Sequence, residues 1–380
     1  ILLDHESDAD HNRSVLTIIG EPEPILEGAF ACIKTTSELI DLNKHKGEHP
    51  RMGATDVCPF IPIKNVSMKE CVQLANKLGK KVAEEIHIPV YLYEEAATRP
   101  ERQNLADVRK GQFEGIRDEI KTNPKRKPDY GASEIHPTAG AIAIGARMIL
   151  IAYNVNLRSP DVSYAKKIAS AIRFKDGGFR YVKALGFEIK ERNITQVSMN
   201  MVNYLGTPLY RAFEFVKTES SRYGISVISS EIVGLTPLKA LIQAVEFGFR
   251  TDEITDDQID WDQKNKNFEF KINVDNFSPE LANHLQKSIS EENGGLKGVK
   301  IVINNQEIIF NVTDIKLTPL HRIFYATLIE TEHLGITITK LSFAKIPIFG
   351  IVYAAEFYLR LENFHLEQIL EVKLKEKIKE

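Results

Sequence analysis

Two stretches in the first 95 residues carry apolar side chains at helical spacing, and each is followed by a short β-rich run. That alternation limits the fold more than any other feature. Ile25, Ala29, Ile33, Leu39 and Ile40 share a helical stripe over 25–42. Glu21 and Glu23 stand near its N-terminus, where the helix dipole favours negative charge. The second helix begins at Ser67 with Glu70 three residues on, a capping box, and runs to about Glu85. Strands are expected at 1–3, 14–19, 60–63 and 89–93. The order β-β-α-β-α-β predicts two helices against a four-stranded mixed sheet, an α+β sandwich.

Further along, 99–127 reads as an exposed helical excursion with a loop, broken by Asn123-Pro124. A Gly/Ala-rich segment, 131–147, leads into a strand at 148–156. Helices at 163–172, 208–223 and 237–248, with strands within 182–201 and at 226–228, predict a second subdomain of similar class. Its sequence does not visibly repeat the first. The acidic, polar stretch 252–266 reads as a linker. After it come a strand at 268–274, a helix at 279–290 and a hairpin pairing 299–303 with 307–312. The Lys-rich end, 373–379, reads as a solvated helix face or tail. The expected fold class is α+β: two α/β sandwich subdomains with mixed sheets and helices on one face, 1–148 and 149–262, and a strand-rich C-terminal domain, 267–380.

The formal net charge is −3 over 380 residues, with both signs interspersed. That speaks against nucleic acid or an anionic membrane as partner. The apolar run 139–155 is too short, and too interrupted by Arg147, for a membrane span. Cys32, Cys58 and Cys71 form no C-x-x-C pair; an odd, sparse set predicts free thiols in a reducing compartment, and a cytoplasmic location is expected. The chain opens on Ile1-Leu2-Leu3 without an initiator Met, as if a strand were already under way, so residues upstream are expected.

The densest chemistry lies in His45-Lys46-Gly47-Glu48-His49-Pro50-Arg51. Three readings compete. His45-x-x-Glu48-His49 has the spelling of an inverted zinc motif. That motif needs a helix, and Gly47 and the pre-proline position of His49 disfavour one. A polar surface loop with no role is the second reading. The third is proton transfer by a His on a rigid Gly/Pro loop, flanked by cations that suit an anionic substrate. A second polar loop, Asp8-Ala9-Asp10-His11-Asn12-Arg13-Ser14, follows a strand, and the two loops, both at strand ends, are expected to share a cleft.

These loops, with Asp56–Pro62, Pro89–Tyr93, Asp129–Gly140, Ala152–Leu157, Gln196–Asn200 and Glu231–Leu235, closely resemble the formiminotransferase domain, the glutamate formimidoyltransferase family of histidine breakdown. The resemblance runs in order from residue 1 to about 250. It implies two α/β subdomains, a homodimer, and transfer of a formimidoyl group from N-formimidoyl-L-glutamate to N5 of tetrahydrofolate as co-substrate, with no metal. It places the catalytic acid–base at His49, within Gly47-Glu48-His49-Pro50. It places folate contact on Gly131, Ala132, Ser133, Glu134, Ile135, His136, Pro137, Thr138, Ala139 and Gly140; composition alone reads those small residues as close packing before a buried strand. Glu6 and Asp10 are candidate carboxylates for the amidinium-like carbon. Arg13, Lys46 and Arg51 are candidate clamps for substrate carboxylates, and Asn12 is a candidate substrate contact.

The chain departs from the family pattern at Glu6, where Asp is usual, and begins after the usual P-N-F-S-E-G motif. Its last 110 or so residues do not resemble the helical cyclodeaminase of fused relatives. Two alternatives stay open. One is formyl exchange between 5-formyltetrahydrofolate and glutamate. The other is folate binding without catalysis.

Overall fold

The computed structural model describes residues 1–9, 12–47, 50–262, 266–275, 278–304 and 306–379, leaving aside the side chains of Leu281, Asn293 and Lys379. The chain divides into two compact units, 1–149 with 376–380, and 150–375.

In the first unit, β1 (Leu2–Asp8) and β2 (Arg13–Ile18) form an antiparallel hairpin of their own. The helix α1 (Pro22–Leu39) follows, then β3 (Val57–Phe60), α2 (Met68–Glu85) and β4 (Val90–Glu94). The capping box at α2 is formed: Glu70 N–H donates to Ser67 Oγ at 3.3 Å, and Ser67 N–H to Glu70 Oε2 at 2.7 Å. Then come α3 (Leu105–Val108), α4 (Gln112–Glu119) and β5 (Ile142–Ala146).

The main sheet has the order β3-β5-β4 and is parallel. It is therefore not the expected four-stranded mixed sheet, because the hairpin stands apart and β5 arises from the Gly/Ala-rich segment. Strand β5 sits at the centre with both faces covered, and such strands read as unbroken apolar runs without alternation. Val90, Leu92, Ile142 and Ile144 enter one core with α1 and α2. Tyr91, Tyr93, Ala141 and Ala143 enter a second core with Met52, Val108, Ile116 and Ile120. The excursion after β4 is thus the cover of the sheet's other face. It is tied down by the buried Arg102, which pairs with Asp129, while Asp129 also accepts from Leu92 N–H at 2.8 Å.

The second unit begins with β6 (Ile151–Leu157), α5 (Val162–Ile172), β7 (Val182–Ile189), β8 (Ile194–Met201), α6 (Leu209–Arg222), β9 (Val227–Val233) and α7 (Leu238–Phe249). Its sheet is antiparallel in the order β7-β8-β6-β9. The expected strand at 148–156 begins only at Ile151. The polar stretch after α7 is not a free linker: Thr255 caps a short turn, and β10 (Ile259–Asp260) pairs in parallel with a strand of the following sheet.

The remaining elements are β11 (Phe268–Val274), α8 (Pro279–Ser288), β12 (Val299–Asn304), β13 (Glu307–Val312), α9 (Leu320–His333), β14 (Ile338–Pro347), α10 (Ile348–Leu359) and α11 (Leu370–Lys379). Their sheet has the order β10-β14-β11-β13-β12. Setting β10 aside, this is the order of the preceding sheet, reached by the same β-α-β-β-α-β-α succession.

Candidate active site

The loop after α1 is held at both ends by one segment. Asp41 Oδ1 accepts from Asn43 N–H at 3.0 Å, a local turn that such side chains favour. Leu42 N–H donates to Thr138 O at 2.9 Å, and Asn43 Nδ2 to Pro137 O at 2.9 Å. At the far end, Ala141 N–H donates to Met52 O and Ala54 N–H to Ala139 O, both at 2.9 Å. Two glycines permit this approach. A Cβ on Gly53 would stand 1.9 Å from Ala141 O. Gly140 has φ +75°, and a Cβ there would stand 2.4 Å from Met52 O.

The hairpin turn reaches the same loop. Asn12, at φ 49°, donates from Nδ2 to Lys46 O at 2.7 Å. His45 Nε2 lies 2.9 Å from Asn12 O. A carbonyl only accepts, so Nε2 is the donor and carries a proton. His45 Nδ1 is buried without a hydrogen-bond partner among the described residues. The two polar loops singled out in the sequence therefore meet: one joins β1 to β2, and the other runs from α1 to β3. Asp10, His11, Glu48 and His49 lie outside the described residues, so the structure assigns His49 no geometry. The described part of the zinc-like spelling, His45–Gly47, is irregular backbone and not helix.

Beside this junction is a cleft of about 460 Å³ lined by His45, Lys46, Arg51, Phe113, Glu114 and Arg117, among others. Arg51 forks onto Glu114, with Nη2–Oε1 at 2.6 Å and Nη1–Oε2 at 3.0 Å. That fork holds the Glu114 carboxyl below its usual range. Arg117 lies 3.2 Å from Asp118. Lys46 is exposed, lines the cleft and has no carboxylate partner among the described residues. Glu6 faces Val15 and Arg13 faces Asp8 across the exposed hairpin, and neither is among the cleft's lining residues.

The candidate folate segment divides in two. Gly131, Ala132, Ser133 and Glu134 are exposed, and Glu134 pairs with Lys121 at 2.7 Å. Ile135, His136, Pro137, Thr138, Ala139 and Gly140 make the tight turn that anchors the loop. His136 and Gly140 exchange backbone hydrogen bonds, each at 3.1 Å. Ala139 N–H donates to His136 Nδ1 at 3.0 Å, which fixes the proton on Nε2. Burial lowers the His136 pKa, and His87 adds to the effect.

Sequence reasoning passed over two groups. Asp56 is mostly buried, accepts from Met52 N–H at 2.7 Å and pairs with Arg109 at 2.8 Å. Burial raises its pKa and Arg109 opposes the rise. The other group is a polar network on the sheet of the second unit. Asn154 and Gln196 both donate to Glu231 Oε1 at 2.9 Å. Gln196 also donates to Asn156 Oδ1 at 3.0 Å, and Asn156 Nδ2 reaches Ser229 Oγ at 3.1 Å. The signal was present: Asn154 and Asn156 alternate with apolar residues on β6, and cross-strand neighbours on one face pair up. Asn156 is fully buried, where an amide is tolerated only with partners.

Comparisons with known proteins show the family. Residues 1–147 match the formiminotransferase domain, N-terminal subdomain, and residues 152–266 match the formiminotransferase domain. A glutamate formimidoyltransferase of Streptococcus pyogenes serotype M1 is 53% identical over 252 residues, covering 66% of this chain and 84% of the relative. One from Thermoplasma acidophilum is 51% identical over 248 residues, covering 65% of this chain and 81% of the relative. The formimidoyltransferase-cyclodeaminase of Mus musculus is 44% identical over 253 residues, covering 65% of this chain but 46% of that longer protein. The chain therefore belongs to the formiminotransferase domain family.

Proposed function

We propose that this protein is a glutamate formimidoyltransferase. It moves the formimidoyl group from N-formimidoyl-L-glutamate to N5 of tetrahydrofolate. The observation that carries this reading is the 53% identity across 84% of a relative bearing that name. The meeting of the 12–13 turn with the 45–47 loop, through Asn12, supports it.

In this reading the N5 lone pair attacks the formimidoyl carbon and a tetrahedral intermediate forms. His49 takes the N5 proton. It then gives a proton to the glutamate nitrogen as the bond between that nitrogen and the formimidoyl carbon breaks. L-Glutamate and 5-formimidoyltetrahydrofolate leave. One imidazole serves as base and then acid, and such help contributes roughly 10²–10⁴-fold in rate. No metal enters these steps. Lys46 meets a substrate carboxylate. Arg51 is held on Glu114, so it lends the cleft shape and charge before it lends a clamp. Glu6 and Asp10 are the carboxylates offered to the developing amidinium, Arg13 is a second cation for a carboxylate tail, and Asn12 holds the two loops together. Residues 131–140 contact folate, with 135–140 setting the position of the loop that carries His49.

Among the described residues no helix is long and apolar enough to cross a membrane. We read the enzyme as cytoplasmic and homodimeric, acting on small molecules.

The test is a donor comparison with purified protein. Formimidoyl transfer to tetrahydrofolate should far exceed formyl exchange between 5-formyltetrahydrofolate and glutamate. Preference for the formyl donor would change the assigned reaction. Tight folate binding with no transfer from either donor would reduce the protein to a folate binder.

A further inference from the structure

The two sheets of the second unit share more than strand order. Ser159-Pro160-Asp161 before α5 recurs as Ser278-Pro279-Glu280 before α8. Gly177-Gly178 recurs as Gly294-Gly295, with φ +98° and +83° at the first of each pair. Thr207-Pro208-Leu209 recurs as Thr318-Pro319-Leu320, and Gly224-Ile225-Ser226 as Gly335-Ile336-Thr337. The helices α7 and α10 both end on an arginine at φ 55°, Arg250 and Arg360. Asn203 and Asp314 each cap a turn at the same place, their Oδ1 accepting from backbone N–H groups two and three residues on. Residues 267–380 thus repeat 152–266.

The contacts between the two copies are reciprocal. Ser230 bridges Leu361 in parallel, and the matching residues Leu341 and Thr251 do the same. Ser230 N–H donates to Arg360 O at 2.7 Å, and Leu341 N–H to Arg250 O at 3.3 Å. Gln368 Nε2 donates to Ile232 O at 2.9 Å, and Gln258 Nε2 to Phe343 O at 2.8 Å. Beyond α7 and beyond α10 the chain forms the same capped turn, closed by Thr255 with Gln258 and by His365 with Gln368. Each strap then lies along the last strand of the other copy. Contacts of i with j and of j with i are the mark of a two-fold interface, which ordinarily joins two identical chains.

One exchanged residue reaches the polar network of the first copy. Glu362 Oε1 accepts from Asn156 Nδ2 at 3.0 Å and from Arg192 Nη1 at 2.6 Å, so the repeat closes the polar network of the first copy. The counterpart, Asp252, pairs with Lys340. By strand register the counterparts of Asn154, Asn156, Gln196 and Glu231 are Lys271, Asn273, Glu307 and Ser342, so the second copy keeps the scaffold and the docking strap but only one residue of the network.

We propose that residues 267–380 are a second copy of the family's C-terminal module that caps the first within one chain, in the place a second chain would take, and that Glu362 is a positioning residue for the Asn156 network. The α7 face is then filled internally, and the homodimer uses another surface.

Two paired-cysteine variants of the full chain test the docking: Ser230→Cys with Leu361→Cys, and Thr251→Cys with Leu341→Cys. Facing positions on neighbouring strands fall within disulfide reach. Both pairs should close within a single chain, as seen by non-reducing gel and peptide mapping. Links joining two chains, or closure of only one pair or neither, would overturn the proposal. The role of Glu362 rests on the transferase reading and is tested by transfer kinetics. Glu362→Gln should raise a substrate KM about tenfold with kcat and melting temperature kept, Glu362→Asp should recover part of the loss, and Asp252→Asn should leave KM within twofold. Equal effects of Glu362→Gln and Asp252→Asn would overturn that role. A wild type without transfer would instead sink the transferase reading, and the disulfides alone would decide the docking.

Discussion

Replacing Gly140 with alanine tests whether the loop bearing the candidate acid–base depends on the turn beneath it. Two costs arise. Gly140 has φ +75°, and an L-residue held there loses about 1–2 kcal/mol. The new Cβ would also stand 2.4 Å from Met52 O and 2.7 Å from Leu42 Cδ1, and forcing a methyl into packed structure costs about 1–3 kcal/mol. Met52 O is backbone already bonded to Ala141 N–H, so it cannot swing aside as a side chain would. The sum is about 2–5 kcal/mol, a fall of roughly 5–15 °C in melting temperature for a unit of this size. Gly111→Ala is the control within the same unit. Its φ is +84°, but its Cβ would meet nothing nearer than Gly115 Cα at 3.2 Å, so mainly the backbone cost applies. Thermal melts of both variants, with transfer kinetics, separate the two terms. Gly140→Ala should lose at least 1 kcal/mol more than Gly111→Ala and should lower kcat/KM, because Thr138 and Ala139 anchor the 41–53 loop. Equal losses, or a Gly140→Ala enzyme with unchanged kinetics, would refute the coupling of turn to loop.

Burial pushes the Glu356 carboxyl up to about 7 from an ordinary 4.5. The folded chain then holds a proton that the unfolded chain has lost, so Glu356 lowers stability as pH rises from about 4.5 to 7, by about 1–2 kcal/mol once solvent screening of this half-buried group is counted. Glu356→Gln should remove that slope in denaturant titrations, and an unchanged slope would discard the assignment. Arg102→Met strands the buried Asp129 carboxylate and should cost about 3–5 kcal/mol in urea unfolding, whereas a loss under 1 kcal/mol would mean the pair is not desolvated as described. Burial raises the thiols of Cys58, to about 12, and Cys71. Both should resist alkylation at pH 8 until the chain unfolds, and fast native labelling of either would contradict their burial.

The two long helices of the first unit were legible because each declares itself locally. Apolar spacing marks α1, and the Ser67–Glu70 box marks the start of α2. Strand β5 was not, because a central strand covered on both faces loses its alternation, and its small residues answer to Tyr93 packed against Gly145. The excursion after β4 read as solvent-facing because Arg102, Arg109 and Arg126 carry charge inward to meet Asp129, Asp56 and backbone carbonyls. The repeat escaped notice for a different reason. Its shared anchors are two or three residues long, and the connections between them differ in length, so only matching strand order and reciprocal contacts align them. At the site, residue identity pointed to Lys46 and Arg51 alike, and only geometry showed that Arg51 is already held by Glu114. Asn154, Asn156, Gln196 and Glu231 lay in the segments of family resemblance, yet their roles became visible only when three strands brought them onto one face.

The most direct test of the account is the rate of formimidoyl transfer by His49→Ala against wild type, with folding checked by circular dichroism. The account predicts kcat reduced by about 10²–10⁴-fold with the fold and folate binding retained. A variant that transfers at the wild-type rate would contradict it.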